Sequence, residues 1–129
     1  MSGGKPIVAV VDDDQRLLES VENLLESAGY AVRVFRSAEA LLKRGLSDVD
    51  VLITDIGMSG MDGFELKDRA TKLRPDLPVF LVTGRHEIAD QERARCVAGF
   101  FRKPFDGQAL LTAIGEAISQ MKEEDECES

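Results

Sequence analysis

The sequence predicts an α/β domain built on a mainly parallel sheet, and three observations carry that reading. Short apolar runs rich in β-branched residues recur along the chain: Ile7-Val8-Ala9-Val10-Val11, Val51-Leu52-Ile53-Thr54 and Val79-Phe80-Leu81-Val82. Runs of this kind read as strands buried on both faces of a parallel sheet. Stretches with apolar residues at helical spacing fall between them, so strand and helix alternate. Each run also closes in a polar signature. These are Asp12-Asp13-Asp14, then Asp55, then Thr83, and finally Lys103-Pro104 after Phe100-Phe101-Arg102. In open α/β sheets ligands sit in the crevice beyond the carboxyl ends of the strands, which is where these signatures fall.

The elements follow in order. After the first strand, apolar residues at Leu17, Leu18, Val21, Leu24, Leu25 and Ala28 mark one face of a helix. Asp14 is suited to cap its start and Gly29 its end. Ala31-Val32-Arg33-Val34-Phe35 reads as a second strand, and Arg33 marks it as an edge. Ser37 can cap a short helix carrying Leu41 and Leu42. The third strand ends at Asp55; Gly57, Gly60 and Gly63 then punctuate a loop before a helix over about residues 63–72. Arg74-Pro75-Asp76-Leu77-Pro78 is a turn into the fourth strand. A polar helix is expected over about 87–96, with Ile88 and a few alanines to bury. A strand at Phe100-Phe101 and a last helix with Leu110, Leu111, Ile114, Ala117, Ile118 and Met121 complete five units.

Composition bounds the function. At 129 residues the chain is one domain able to bury a core without staples, and 43% apolar with 31% charged residues is the balance of a soluble globular protein. No apolar run approaches the roughly 20 residues needed to span a bilayer, and Met1-Ser2-Gly3-Gly4-Lys5 leads into no signal-like stretch, so a cytoplasmic, membrane-free location is expected. Cys96 and Cys127 have neither metal-ligand spacing nor the pattern of a disulfide framework. The formal charge is −8, but Glu123, Glu124, Asp125, Glu126 and Glu128 carry five of the 24 acids, which leaves 19 acids against 16 bases, a net −3, over residues 1–122. Nothing resembles the basic stripe of a nucleic-acid binder.

If the strands lie side by side, Asp12, Asp13, Asp55, the Thr83 hydroxyl and the Lys103 ammonium converge. A carboxylate such as Asp55 can attack a phosphoryl group to form an aspartyl phosphate. Because an anion then approaches an anion, charge must be neutralised. Mg²⁺ suits this, since it takes oxygen ligands from one or two carboxylates and otherwise keeps waters and phosphate oxygens. Lys103 and Thr83 could bind transferred phosphoryl oxygens. Each residue alone has a plainer reading: a helix cap, a turn, a surface lysine, a strand former. Their order and spacing together favour the site.

With these motifs the chain resembles a response-regulator receiver domain, the phosphoacceptor module of two-component signalling, over residues 6–122, with residues 1–5 and 123–129 as flexible tails. The resemblance implies a flavodoxin-like (βα)5 doubly wound sheet of order 2-1-3-4-5. It implies that Asp12 and Asp13 position Mg²⁺ (Mn²⁺ substituting), that Asp55 is the phosphoacceptor, and that the backbone carbonyl of Gly57 is a further metal ligand. Thr83 then matches the switch hydroxyl, Phe100 the switch aromatic, and Lys103-Pro104 the lysine and proline of the phosphoryl site. The implied partners are a histidine kinase or histidine phosphotransfer protein as donor, and a downstream protein meeting the surface of the fourth helix, fifth strand and fifth helix. The implied state is a monomer or a phosphorylation-dependent dimer, acting as a signalling phosphoacceptor and not as an enzyme.

Three departures stand out. Ser59 replaces the family's usual proline, so the loop after Asp55 is expected to be less rigid. The step of 20 residues from Thr83 to Lys103 is about two short, which predicts a short or mobile fourth helix. Cys96 stands where glycine is common. Arg85 and Gly57 flank the phosphoryl site and could tune loss of the phosphate, while His86 is expected at the surface. Two rival families fit less well. A haloacid-dehalogenase-type phosphatase needs Thr or Val where Arg16 stands. A flavin-binding flavodoxin needs a Ser/Thr/Gly-rich loop after the first strand. A receiver fold used as a docking module, without phosphorylation, keeps the same architecture.

Overall fold

The computed structural model describes residues 5–58, 60–83, 99–102 and 106–119, with backbone alone at Phe100 and Arg102. Five strands, β1 (Ile7–Val11), β2 (Ala31–Phe35), β3 (Val51–Asp55), β4 (Val79–Thr83) and β5 (Gly99–Arg102), pair in parallel in the order β2-β1-β3-β4-β5. Helices α1 (Gln15–Ser27), α2 (Ala38–Arg44), α3 (Gly63–Leu73) and a C-terminal helix (Gly107–Ser119) cover the two faces. The doubly wound sheet of order 2-1-3-4-5 is therefore present, and β2, with Arg33, is an edge. The helix expected over 87–96, together with Arg85, His86, Cys96, Lys103, Pro104, Ser59 and the tail beyond residue 119, lies outside the described residues.

Side-chain alternation along the strands builds two cores. Ala9, Val11, Leu52, Val79 and Leu81 point to one face and pack with Leu41 of α2 and Leu66 and Ala70 of α3. Val8, Val10, Val51, Ile53, Phe80 and Val82 point to the other and pack with Leu18, Val21 and Leu25 of α1 and with Leu110 and Ile114 of the C-terminal helix. β3 and β4 are buried at every position, which explains their apolar sequence up to the polar residues Thr54, Asp55 and Thr83 at their carboxyl ends. Phe101 enters the second core, its ring stacked on Phe80 at 6.2 Å.

The helix ends form as local chemistry requires. Asp14 caps α1 by accepting the Arg16 N–H at 3.0 Å, Ser37 caps α2 by accepting the Ala40 N–H at 3.1 Å, and Asp62 caps α3 by accepting the Glu65 N–H at 2.9 Å. At the end of α1, Gly29 adopts φ +97°; its N–H reaches the Glu26 carbonyl and the Tyr30 N–H the Leu25 carbonyl, a Schellman ending. No helix among the described residues is long and apolar enough to cross a membrane.

Candidate functional site

Strand register brings the polar signatures together. Val11 pairs with Thr54, so the next residues, Asp12 and Asp55, stand on adjacent rungs at the carboxyl end of the sheet. Asp55 itself pairs with Val82, one residue before Thr83, and Thr83 pairs with Arg102. The strand ends are staggered: β3 runs one residue past the level of Val11 and β4 and β5 run two, so Asp12 follows β1 at the level of Asp55 and Thr83 lies one step beyond them.

The three acids after β1 divide their work. Asp12 is 2% exposed; its backbone N–H donates to the Phe35 carbonyl, and one carboxylate oxygen accepts the Asp14 N–H at 2.9 Å. Asp13 is exposed, and Asp14 faces away to cap α1. Asp55 is 6% exposed and Thr83 1%. Asp12, Asp13 and Asp55 each place an oxygen within 4.8 Å of the others. Like charges at that spacing repel by about 1 kcal/mol per pair in water and a few times more near protein. Burial of Val, Leu and Ile in the strands beneath them, worth roughly 2 kcal/mol per side chain, fixes the strand ends that carry them.

The loop after Asp55 is fastened to the sheet. The Ile56 N–H donates to the Val82 carbonyl at 2.9 Å, and the Ile56 carbonyl accepts the N–H groups of Met58 and Gly63. Gly57 lies between, in an exposed bend. The start of α3 rests directly on the strand end: a Cβ on Gly63 would stand 2.5 Å from the Asp55 carbonyl oxygen and 2.8 Å from the Ile56 Cα. The sequence reading treats Gly63 as loop punctuation and misses this close approach. The available signal was Asp62-Gly63-Phe64-Glu65, a capping pattern that places Gly63 as the first helical residue.

Of the residues expected at the site, Asp12, Asp13, Asp55 and Thr83 are at the carboxyl ends of β1, β3 and β4, and Gly57 is in the adjoining loop. Phe100 is in β5, paired through its backbone with Leu81. Lys103 is outside the described residues. The donor set fits a hard divalent cation. Among the described residues it offers oxygen alone, and its carboxylates carry negative charge that a cation would neutralise.

A parallel sheet of this order, with a carboxylate cluster across the ends of its first and third strands, defines a flavodoxin-like α/β domain with an acidic crevice. The chain belongs to the response regulator receiver domain family, whose model matches residues 8–115. Receiver domains are the phosphoacceptors of two-component systems and bind Mg²⁺ at an acidic pocket. The chain is 38% identical over 115 residues to the C4-dicarboxylate transport transcriptional regulatory protein DctD of Rhizobium meliloti, covering 87% of this chain and 25% of DctD. It is 34% identical over 125 residues to the transcriptional regulatory protein FixJ of Azorhizobium caulinodans, covering 92% and 59% respectively. It thus spans between a quarter and three-fifths of these relatives. Among solved structures, a CheY-like response regulator receiver domain protein from Methanospirillum hungatei superposes with a TM-score of 0.88 at 27% identity, covering 95% of this chain and all of that one.

Proposed function

We propose that the chain is a working phosphoacceptor in which Asp55 takes a phosphoryl group from a histidine kinase or histidine phosphotransfer protein. The observation that carries this reading is the convergence of the Asp12, Asp13 and Asp55 oxygens within 4.8 Å. A carboxylate oxygen of Asp55 forms the new bond to phosphorus as the P–N bond of the donor phosphohistidine breaks, and its electron pair stays with the imidazole. Mg²⁺, held by Asp12, Asp13, Asp55 and the Gly57 carbonyl, would neutralise charge on the phosphoryl oxygens. Lys103 pairs with one of those oxygens and the Thr83 hydroxyl donates to another. Arg85, two residues past Thr83 in sequence, and Gly57, two past Asp55, tune how fast water removes the phosphate.

Thr83 is the natural sensor, buried at the end of a strand whose partner β5 carries Phe100. Movement of Thr83 toward the phosphoryl group lets Phe100 turn inward. The surface formed by the helix expected over 87–96, β5 and the C-terminal helix then favours one of two pre-existing arrangements, which a downstream protein reads. In this reading residues 6–122 form the receiver, and the chain acts as a switch that assists its own phosphorylation and dephosphorylation, not as a turnover enzyme. It works in the cytoplasm, without contacting nucleic acid or membrane, as a monomer or a phosphorylation-dependent dimer.

Intact-mass spectrometry after incubation with acetyl phosphate and Mg²⁺ tests the reading. One phosphoryl adduct is expected, abolished by EDTA and by Asp55→Asn. Beryllofluoride, a stable phosphoryl mimic, separates a short-lived adduct from a silent site. A protein that neither gains the adduct nor binds beryllofluoride is a docking module on the same fold.

A further inference from the structure

We propose that Glu39, in the first turn of α2, is a positioning residue for the metal site, acting through the loop that carries Gly57. The inference rests on the functional reading above and deepens it. The Glu39 carboxylate accepts the backbone N–H of Met61 at 3.3 Å, 22 residues further along the chain. The same oxygen lies 3.2 Å from where a Cβ on residue 60 would stand, and Gly60 adopts φ +78°. Glycine at 60 therefore meets two demands: a left-handed turn, and room for the carboxylate against the backbone.

Glu39 is well placed to impose position. Its neighbours Ala38 and Leu41 are buried in the core between α2 and the sheet, and Ser37 caps the helix, so the carboxylate projects from a fixed element. The loop it holds runs from Ile56, anchored to the Val82 carbonyl, to Asp62, which caps α3. Met58 is buried on this path and Met61 packs against the same core. The Gly57 bend lies between the sheet anchor and the Glu39 clamp. In this chain Ser59 replaces the proline that usually stiffens the loop, and a hydrogen bond from a neighbouring helix supplies restraint of another kind. A ligand carbonyl held in place loses less freedom when it binds a cation, so the clamp raises Mg²⁺ affinity without touching the ion.

Two substitutions separate position from charge. Glu39→Ala removes the acceptor, whereas Glu39→Gln keeps an oxygen for the Met61 N–H but removes the negative charge. With Glu39→Ala we expect faster hydrogen exchange at the Met61 amide in the metal-free protein. Mg²⁺ affinity by calorimetry should weaken roughly three- to tenfold. In phosphorylation by acetyl phosphate the Mg²⁺ concentration for half-maximal rate should rise by the same factor, with the rate at saturating Mg²⁺ close to wild type. Glu39→Gln should restore all three to within about twofold of wild type. Unchanged Mg²⁺ affinity in Glu39→Ala overturns the proposal, and so does a Gln variant as weak as Ala, which would assign the effect to charge alone. A wild-type protein that gives no Mg²⁺ isotherm overturns the functional reading itself, a result distinct from any difference between variants.

Discussion

The two ends of the sheet handle charge in opposite ways. At the amino end, Arg74 leaves α3 and closes a self-contained network: its guanidinium donates to the carbonyls of Leu46 at 2.7 Å, Val49 at 3.1 Å and Ser47 at 3.4 Å, and pairs with Asp76 at 3.1 Å. Beside it Asp50 accepts the Ile7 N–H at 2.8 Å while its own N–H donates to the Ile7 carbonyl. At the carboxyl end, three carboxylates of one sign face each other. The amino end pairs its charge with acceptors from the same chain and serves stability. The carboxyl end gathers three carboxylates whose oxygens suit a divalent cation.

The largest effect on stability should come from opening the amino-end network. Arg74→Ala leaves three carbonyls without this donor and is expected to lower unfolding free energy by about 2–4 kcal/mol, read by urea denaturation. It should leave Asp55 phosphorylation at saturating Mg²⁺ intact, and a variant stable but unable to accept phosphate would break the contrast between the ends. Neutralising the other end should have the reverse sign. Asp13→Asn is expected to stabilise the metal-free protein by about 1 kcal/mol, because a like charge leaves the cluster. The same variant should gain less stability from added Mg²⁺ than wild type does. Loss of stability in the metal-free variant would mean that Asp13 is tied into the fold and not held against repulsion.

The smallest effect belongs to Asp76. A hydrogen bond from Arg74 holds its carboxyl below the ordinary value of 3.8, against a smaller opposing cost of burial. Stability from a lowered carboxylate is fully present above that ordinary value and is lost as pH falls through the lower folded-state one. Asp76 is largely exposed, so screening limits the change to at most about 0.5 kcal/mol. Acid titration of stability in wild type and Asp76→Asn should differ below pH 3.8 by that amount and no more.

Much of this protein is legible in one dimension. Strands buried on both faces are apolar along most of their length, so β1, β3 and β4 announce themselves. Amphipathic spacing identifies α1, and side chains such as Asp14 and Ser37 cap a helix using backbone two or three residues away. The acidic motif is equally visible, because the order of elements in a doubly wound sheet sends every strand end to one crevice. Tertiary structure alone decided which distant groups meet. The register that sets Asp12 beside Asp55, the close packing of Gly63 on the Asp55 carbonyl, the reach of Glu39 to Met61 and the grip of Arg74 on three carbonyls span 8 to 43 residues. Arg74 reads in sequence as part of a turn, and no local pattern marks Glu39. Local signals are written by covalent neighbours, whose geometry the backbone constrains; these contacts exist because burial of the two cores fixes separate elements against one another.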